Sequence, residues 1–209
     1  MRKFHLGIVA AGAAGLLAVA AAHAQGGAPQ LPGQPDPSRV TAGDYTIDGG
    51  HTQIVFSYSH FGLTDNLGVL SGATGSLSFD PASPDDAKLS VDVPINTVRT
   101  TIAALDTEFL SPSFFDVEQF PTAHFESTSV VADGTSATIS GNLTIRGVTK
   151  PAVIDAEFFA AGPNPFNKKE TVSFTGKTVV KRSEFGLGVA VPMVSDEVEL
   201  GIMAAFEKQ

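Results

Sequence analysis

At 209 residues, 43% hydrophobic and 17% charged, the chain is long enough for one domain with a full core and has the composition of a globular protein. Its formal charge of −9, with no basic cluster, argues against nucleic acid as a partner, because phosphate binding needs grouped Lys and Arg. Cysteine is absent, which excludes disulfides, thiolate metal sites and a lipid-modified N-terminal cysteine.

Arg2 and Lys3 precede an apolar run over residues 4–22, and Ala22-His23-Ala24 matches a small-x-small cleavage pattern. These features predict a signal peptide over residues 1–24, cleaved after Ala24, and a periplasmic or secreted protein. An uncleaved anchor is the alternative, since the run is nearly long enough to span a bilayer; its Ala-rich character and the cleavage pattern favour removal. Losing Arg2 and Lys3 makes the chain more acidic still, which disfavours anionic headgroups and stable membrane insertion. Residues 25–43 hold Pro29, Pro32, Pro35 and Pro37 among Gly, Gln and Ala, and read as a flexible spacer. A single domain is expected over 44–209.

From Asp44 the pattern alternates with period two. Residues 52–60 put Ile54, Phe56, Tyr58 and His60 on one side. Residues 73–80 set Ala73, Gly75, Leu77 and Phe79 against Thr74, Ser76, Ser78 and Asp80, and the next run aligns Leu89, Val91, Val93 and Ile95. The stretch 109–131 then changes character. Ile102, Leu105 and Phe109 lead into it at helical spacing, Phe114 and Phe115 form a bare aromatic pair, and Pro121 ends the helix in favour of a strand carrying Ala123, Phe125, Ser127 and Ser129. A greasy helix feeding a strand predicts a lid at the mouth of a sheet. Asp133-Gly134 signals a hairpin, after which Ala137, Ile139, Gly141, Leu143 and Ile145 alternate. A turn is expected over 147–151, and Ala152, Ile154, Ala156 and Phe158 resume the face. Beyond a polar loop at 162–170, one strand face carries Val172, Phe174, Gly176, Thr178, Val180 and Arg182. The last carries Val198, Leu200, Ile202, Ala204 and Phe206.

About eight antiparallel strands, each apolar on one face, must stack as a sandwich or close on themselves, and closure removes exposed edges. The expected fold is all-β: an eight-stranded antiparallel barrel with a short helical lid. Such an interior is filled by side chains or holds one small ligand. Gly75, Ala123, Gly141, Ala152, Ala156, Gly176 and Ala204 on inward faces suggest spare room. Equally, they fill a taper opposite Phe56, Phe79, Phe125 and Phe174.

Chemistry has few footholds. His124 and Glu126 form an H-x-E on a polar strand face, without the cysteines a zinc deaminase needs, and read as surface. His51 follows Gly49-Gly50 as a local hydrogen-bonding residue. No G-x-S-x-G, P-loop, G-x-G-x-x-G or H-E-x-x-H occurs. His60 and Arg182 occupy ends of otherwise apolar faces. Arg182 is expected at a rim, paired with Asp106, Asp116 or Glu184 or aimed at a ligand's polar head; His60 is expected to satisfy a backbone carbonyl or touch the same ligand.

The segments YTIDGGHTQIVFSYSHFG, GSLSFDP, FLSPSFFDVEQFPTAHFES, GNLTIRGVTKP and KRSEFGLG, in this order over roughly residues 44–206, resemble the YceI-like family of exported lipid-binding proteins. The resemblance implies a lipocalin-like barrel whose long apolar cavity binds a polyisoprenoid or similar lipid, with no catalysis and no cofactor. Thr52 stands where the family usually has Ser, which keeps the hydroxyl. The inward-face argument nominates Ile54, Phe56, Tyr58, His60, Phe79 and Val91 for the cavity. It adds Phe114, Phe115, Phe125, Phe174, Arg182, Leu200 and Ile202. Three functions follow: an exported carrier, an isoprenoid-modifying enzyme using His60 or Arg182, and a filled barrel with a structural or stress-related role. The apolar segment 183–196 serves as a second lip or as a homodimer contact.

Overall fold

In a computed structural model that describes residues 30–209, the alternating segments become one antiparallel sheet. The signal peptide expected over 1–24 and the start of the spacer lie outside the described residues. The strands are β1 (Gly43–Ile47), β2 (Gln53–His60), β3 (Thr64–Ser71), β4 (Thr74–Phe79), β5 (Lys88–Pro94) and β6 (Arg99–Thr100). Helix α1 (Ala103–Leu110) follows, then β7 (Thr122–Asp133), β8 (Ser136–Ile145), β9 (Val148–Pro163), β10 (Glu170–Lys181) and β11 (Glu197–Lys208). The order β1-β4-β5-β7-β8-β9-β10-β11 closes where β11 pairs back onto β1, giving an eight-stranded barrel with no open edge at that level.

Nearer the lid the wall divides. β11 pairs with β1 through Phe206–Lys208 and with β2 through Glu199–Met203, so β1 and β2 act as one strand broken at residues 48–52. β3 with β4, and β5 with β6, break in the same way. Side-chain hydroxyls patch the breaks. Thr52, 1% exposed, accepts the Ala205 N–H at 3.1 Å, and Thr97 accepts the Ser71 N–H at 3.1 Å while donating to the Pro94 carbonyl at 2.7 Å. Without them, buried ladder groups would lose their partners.

Above the last rung, where the Ile95 N–H reaches the Pro121 carbonyl, β6 pairs with β3 and leaves β7 uncovered. The sequence from α1 to residue 121 belongs to this gap. Asp106 ties α1 to the wall by accepting from Thr100 N–H at 2.6 Å and Thr100 Oγ1 at 2.7 Å. Phe109, 7% exposed, packs its ring 6.1 Å from Phe56 on β2, 5.3 Å from Phe114 and 6.2 Å from Phe115.

The opposite end holds the tightest aromatic packing. Tyr45 and Val172 are fully buried beside Phe206, and the Phe174 ring meets Phe79, Phe158 and Phe206 at centroid distances of 6.0–6.3 Å. The flexible spacer expected over 25–43 is corrected over its described residues, 30–43. Gln34 exchanges both backbone hydrogen bonds with Ala161 of β9, Arg39 donates to the Pro32 carbonyl at 2.9 Å, and Val40 enters the core at 5% exposure. Composition concealed this because the docking rests on backbone groups, one valine and the side chains of Arg39 and Thr41, whose partners Ala161 and Glu170 are distant in sequence.

Candidate functional site

Between the packed end and the lid lies a cavity of about 820 Å³. That is toward the upper end of ligand pockets, which run about 300–1,000 Å³. Every strand of the closed barrel except the short β1–β4 edge contributes a row of alternating side chains to it: Val91 and Val93 from β5, Phe125 from β7, Ile139 and Leu143 from β8. Ile154 comes from β9, Val180 from β10 and Leu200 and Ile202 from β11, while β1 and β4 add Ile47, Leu77 and Phe79 at the packed end. Many of these are only half-buried although they point inward, because one flank faces the hollow.

Each residue nominated from sequence lines this cavity. Ile54, Phe56, Tyr58 and His60 come from β2; Phe79, Val91, Phe125, Phe174, Leu200 and Ile202 come from the other strands. Phe114 and Phe115 hang from the lid, and Arg182 stands where β10 ends. The question of filling is answered differently at different glycines. A Cβ on Gly68 would lie 2.2 Å from Phe56 Cζ, and one on Gly141 would lie 2.4 Å from Phe125 Cζ, so these two glycines do receive aromatic rings. Ala123, Ala152, Ala156, Gly176 and Ala204 instead border the hollow.

Polar lining gathers toward the lid, where Tyr58, His60, Asn66, Glu108 and Arg182 surround the cavity. Asn66 Nδ2 donates to the Tyr58 hydroxyl at 3.4 Å. The His60 ring stacks edge-on against Phe61 at 4.1 Å and, among the described residues, has no hydrogen-bond partner, so it does not satisfy the carbonyl expected of it.

Arg182 departs further from expectation. Its guanidinium pairs with none of Asp106, Asp116 or Glu184. Asp106 serves Thr100, and Asp116 accepts from Gln119 Nε2 at 2.7 Å. Arg182 donates instead to four backbone carbonyls: Ser195 at 2.8 Å, Val189 at 2.8 Å, Val194 at 2.9 Å and Leu187. One side chain thereby folds the loop 183–196 into a lip over the barrel. Burial pulls its pKa below the usual arginine value, with Asp196 acting in the opposite sense. Arg146 stitches this lip to the lid, donating to the Pro112 carbonyl at 2.9 Å and the Gly186 carbonyl at 3.4 Å. Sequence reasoning passed over Arg146, and no residue pattern marks a partner that is a backbone carbonyl.

The other two described histidines, His51 and His124, lie away from the hollow. His51 Nδ1 is 2.7 Å from Asp48, the local contact its turn predicted, and His124 Nδ1 is 2.9 Å from Asp92 on the outer face.

A closed antiparallel barrel with an apolar interior and a helical lid defines a class of small-ligand-enclosing barrels. The YceI-like domain model matches residues 45–206, and the chain belongs to that family. A UPF0312 protein of Pseudomonas aeruginosa is 38% identical over 164 residues, covering 78% of this chain and 85% of the relative. Among solved structures, BcnA of Burkholderia cenocepacia superposes with a TM-score of 0.68 at 20% identity, over 76% of this chain and 98% of BcnA. The YceI protein of Campylobacter jejuni gives 0.62 at 26% identity, over 72% and 90%. A polyisoprenoid binding domain from Saccharophagus degradans gives 0.55 at 12% identity, over 79% and 98%.

Proposed function

We propose that this protein is an exported, non-catalytic carrier that encloses a polyisoprenoid or similar long-chain lipid in its barrel, with the polar head near Tyr58, Asn66 and the lid. The observation that carries this reading is the apolar hollow of about 820 Å³, ringed by polar side chains at the lid end. The description of the Saccharophagus degradans neighbour as polyisoprenoid binding agrees with it. The energetics suffice: each CH₂ taken from water is worth about 0.8 kcal/mol, so ten buried carbons supply roughly 8 kcal/mol before ordering costs. Head-group contacts then serve orientation. Export rests on the leader at residues 1–24.

The enzymatic alternative has less support, because the groups it would use are occupied or unassisted. The Arg182 guanidinium is taken up by carbonyls, and among the described residues no side chain hydrogen-bonds the His60 ring, which meets Phe61 edge-on. Gentle purification without detergent, organic extraction and mass spectrometry test the carrier reading. A stoichiometric long-chain lipid is expected. Its absence, together with failure of the emptied protein to take up added prenyl lipid, overturns the proposal.

A further inference from the structure

The rim at the lid end carries apolar side chains that the fold leaves uncovered. Leu63 is 86% exposed, Met193 58% and Phe61 50%. Two tips bring them together. The Phe61 N–H donates to the Met193 carbonyl at 2.7 Å, and His60 bridges Val194, so the turn after β2 is laced to the loop after β10. Val189 and Val191 extend the edge along that loop. Phe61 holds a φ of 57°, a left-handed conformation that aromatic residues rarely adopt.

Charge is missing here. Residues 60–64 and 186–194 contain no Asp, Glu, Lys or Arg, in a chain whose formal charge is −9. Val189, Ala190 and Val194 also line the cavity, so the outer rim and the hollow share a wall. Scattered exposed apolar residues need no explanation, whereas a contiguous, charge-free edge at the mouth of an apolar cavity marks a contact surface.

A second copy would bring another strongly acidic surface, and the two would repel. A neutral bilayer carries no such penalty and offers hydrocarbon at the depth these tips reach. Resting on the carrier reading, we infer that the rim of Phe61, Leu63, Val189, Val191 and Met193 docks reversibly on a zwitterionic bilayer. The lipid chain then passes from hydrocarbon into the barrel without crossing water.

The test uses phosphatidylcholine vesicles, with geranylgeraniol as the probe cargo, and compares the natural protein with a Leu63→Ser, Met193→Ser double variant. Both positions are exposed, so thermal unfolding should be unchanged. The natural protein is expected to co-sediment with vesicles at low and high salt, and less well when phosphatidylglycerol is added. In the double variant, co-sedimentation and cargo uptake from vesicles should fall at least about tenfold, while uptake from detergent stays equal. Equal sedimentation of the two proteins overturns the docking inference, as does failure of both to sediment while both take cargo from detergent. A dimer that dissociates in the variant, without vesicle binding, overturns it in favour of a self-contact. If neither protein accepts cargo from detergent, the carrier reading is what fails, and sedimentation still reports on docking.

Discussion

Val172 and Val180 stand on the same inward face of β10, yet Val172 is fully buried in the aromatic cluster and Val180 borders the hollow. The difference lies in what faces them. At the packed end, Phe79, Phe158, Phe174 and Phe206 interlock and the segment before β1 brings Val40 into the same cluster. Further along, Ala123, Ala152, Ala156 and Gly176 supply walls without bulk. Alternation decides which way a side chain points; side-chain size across the barrel decides whether the space closes.

The sharpest way to break this comparison is to truncate one residue from each region. Phe206→Ala, in the packed cluster, should cost about 3–5 kcal/mol in urea unfolding. Ile154→Ala removes a side chain that packs on one flank only and should cost less than Phe206→Ala, below the roughly 2–5 kcal/mol typical of an Ile→Ala change in a closed core. Equal losses would mean that the hollow behaves as ordinary core.

A smaller effect separates the packed end by pH. There the Glu170 carboxylate accepts from the Thr41 N–H at 2.8 Å, from Thr41 Oγ1 at 2.7 Å and from the Tyr45 hydroxyl at 2.6 Å. Burial pushes the Glu170 pKa up, but these hydrogen bonds and nearby Lys208 outweigh it and leave the pKa below the ordinary 4.5. The stabilisation is therefore present above pH 4.5 and lost as pH falls through the lower folded value. Burial first, then Glu170, raises the Tyr45 pKa from 10.0 to about 12, so stability also declines as pH rises from 10 toward 12. Unfolding measured against pH should show both losses, with the acid limb reduced in Glu170→Gln and the alkaline limb in Tyr45→Phe. A Glu170→Gln acid limb identical to the natural protein's would contradict the assignment.

Period-two alternation made most of the barrel legible, since β2, β4, β5, β8, β10 and β11 set most of their apolar residues on one face, Val55, Val179 and Met203 being exceptions. It failed at β3, where the inward face reads Asn66, Gly68 and Leu70 while Leu67, 59% exposed, points outward. Gly68 looks unlike a core position in sequence because the bulk there is borrowed from Phe56 on the neighbouring strand. The short β1 and β6 were overlooked for a related reason: each continues a strand whose break is repaired by a distant hydroxyl. Apart from Phe114 and Phe115 of the lid, the site candidates followed from the same alternation, so they reach the cavity together. Arg146 and the partners of Arg182 were hidden because backbone carbonyls leave no trace in residue identity. Whether the interior was full or hollow turned on pairings such as Phe125 over Gly141, which depend on register.

The central claim is that the unfilled space is the working part of the molecule. Ala156 lines it opposite Gly176, and Ala156→Phe puts an aromatic ring into the hollow without displacing core. Native mass spectrometry of the emptied proteins titrated with a prenyl alcohol tests this most directly. The natural chain should bind one molecule per protomer, and Ala156→Phe should lose at least about tenfold in affinity, the equivalent of 1.4 kcal/mol, with unchanged or raised thermal stability. Equal binding by both proteins, or a variant that unfolds as though a packed core had been overfilled, would contradict the account.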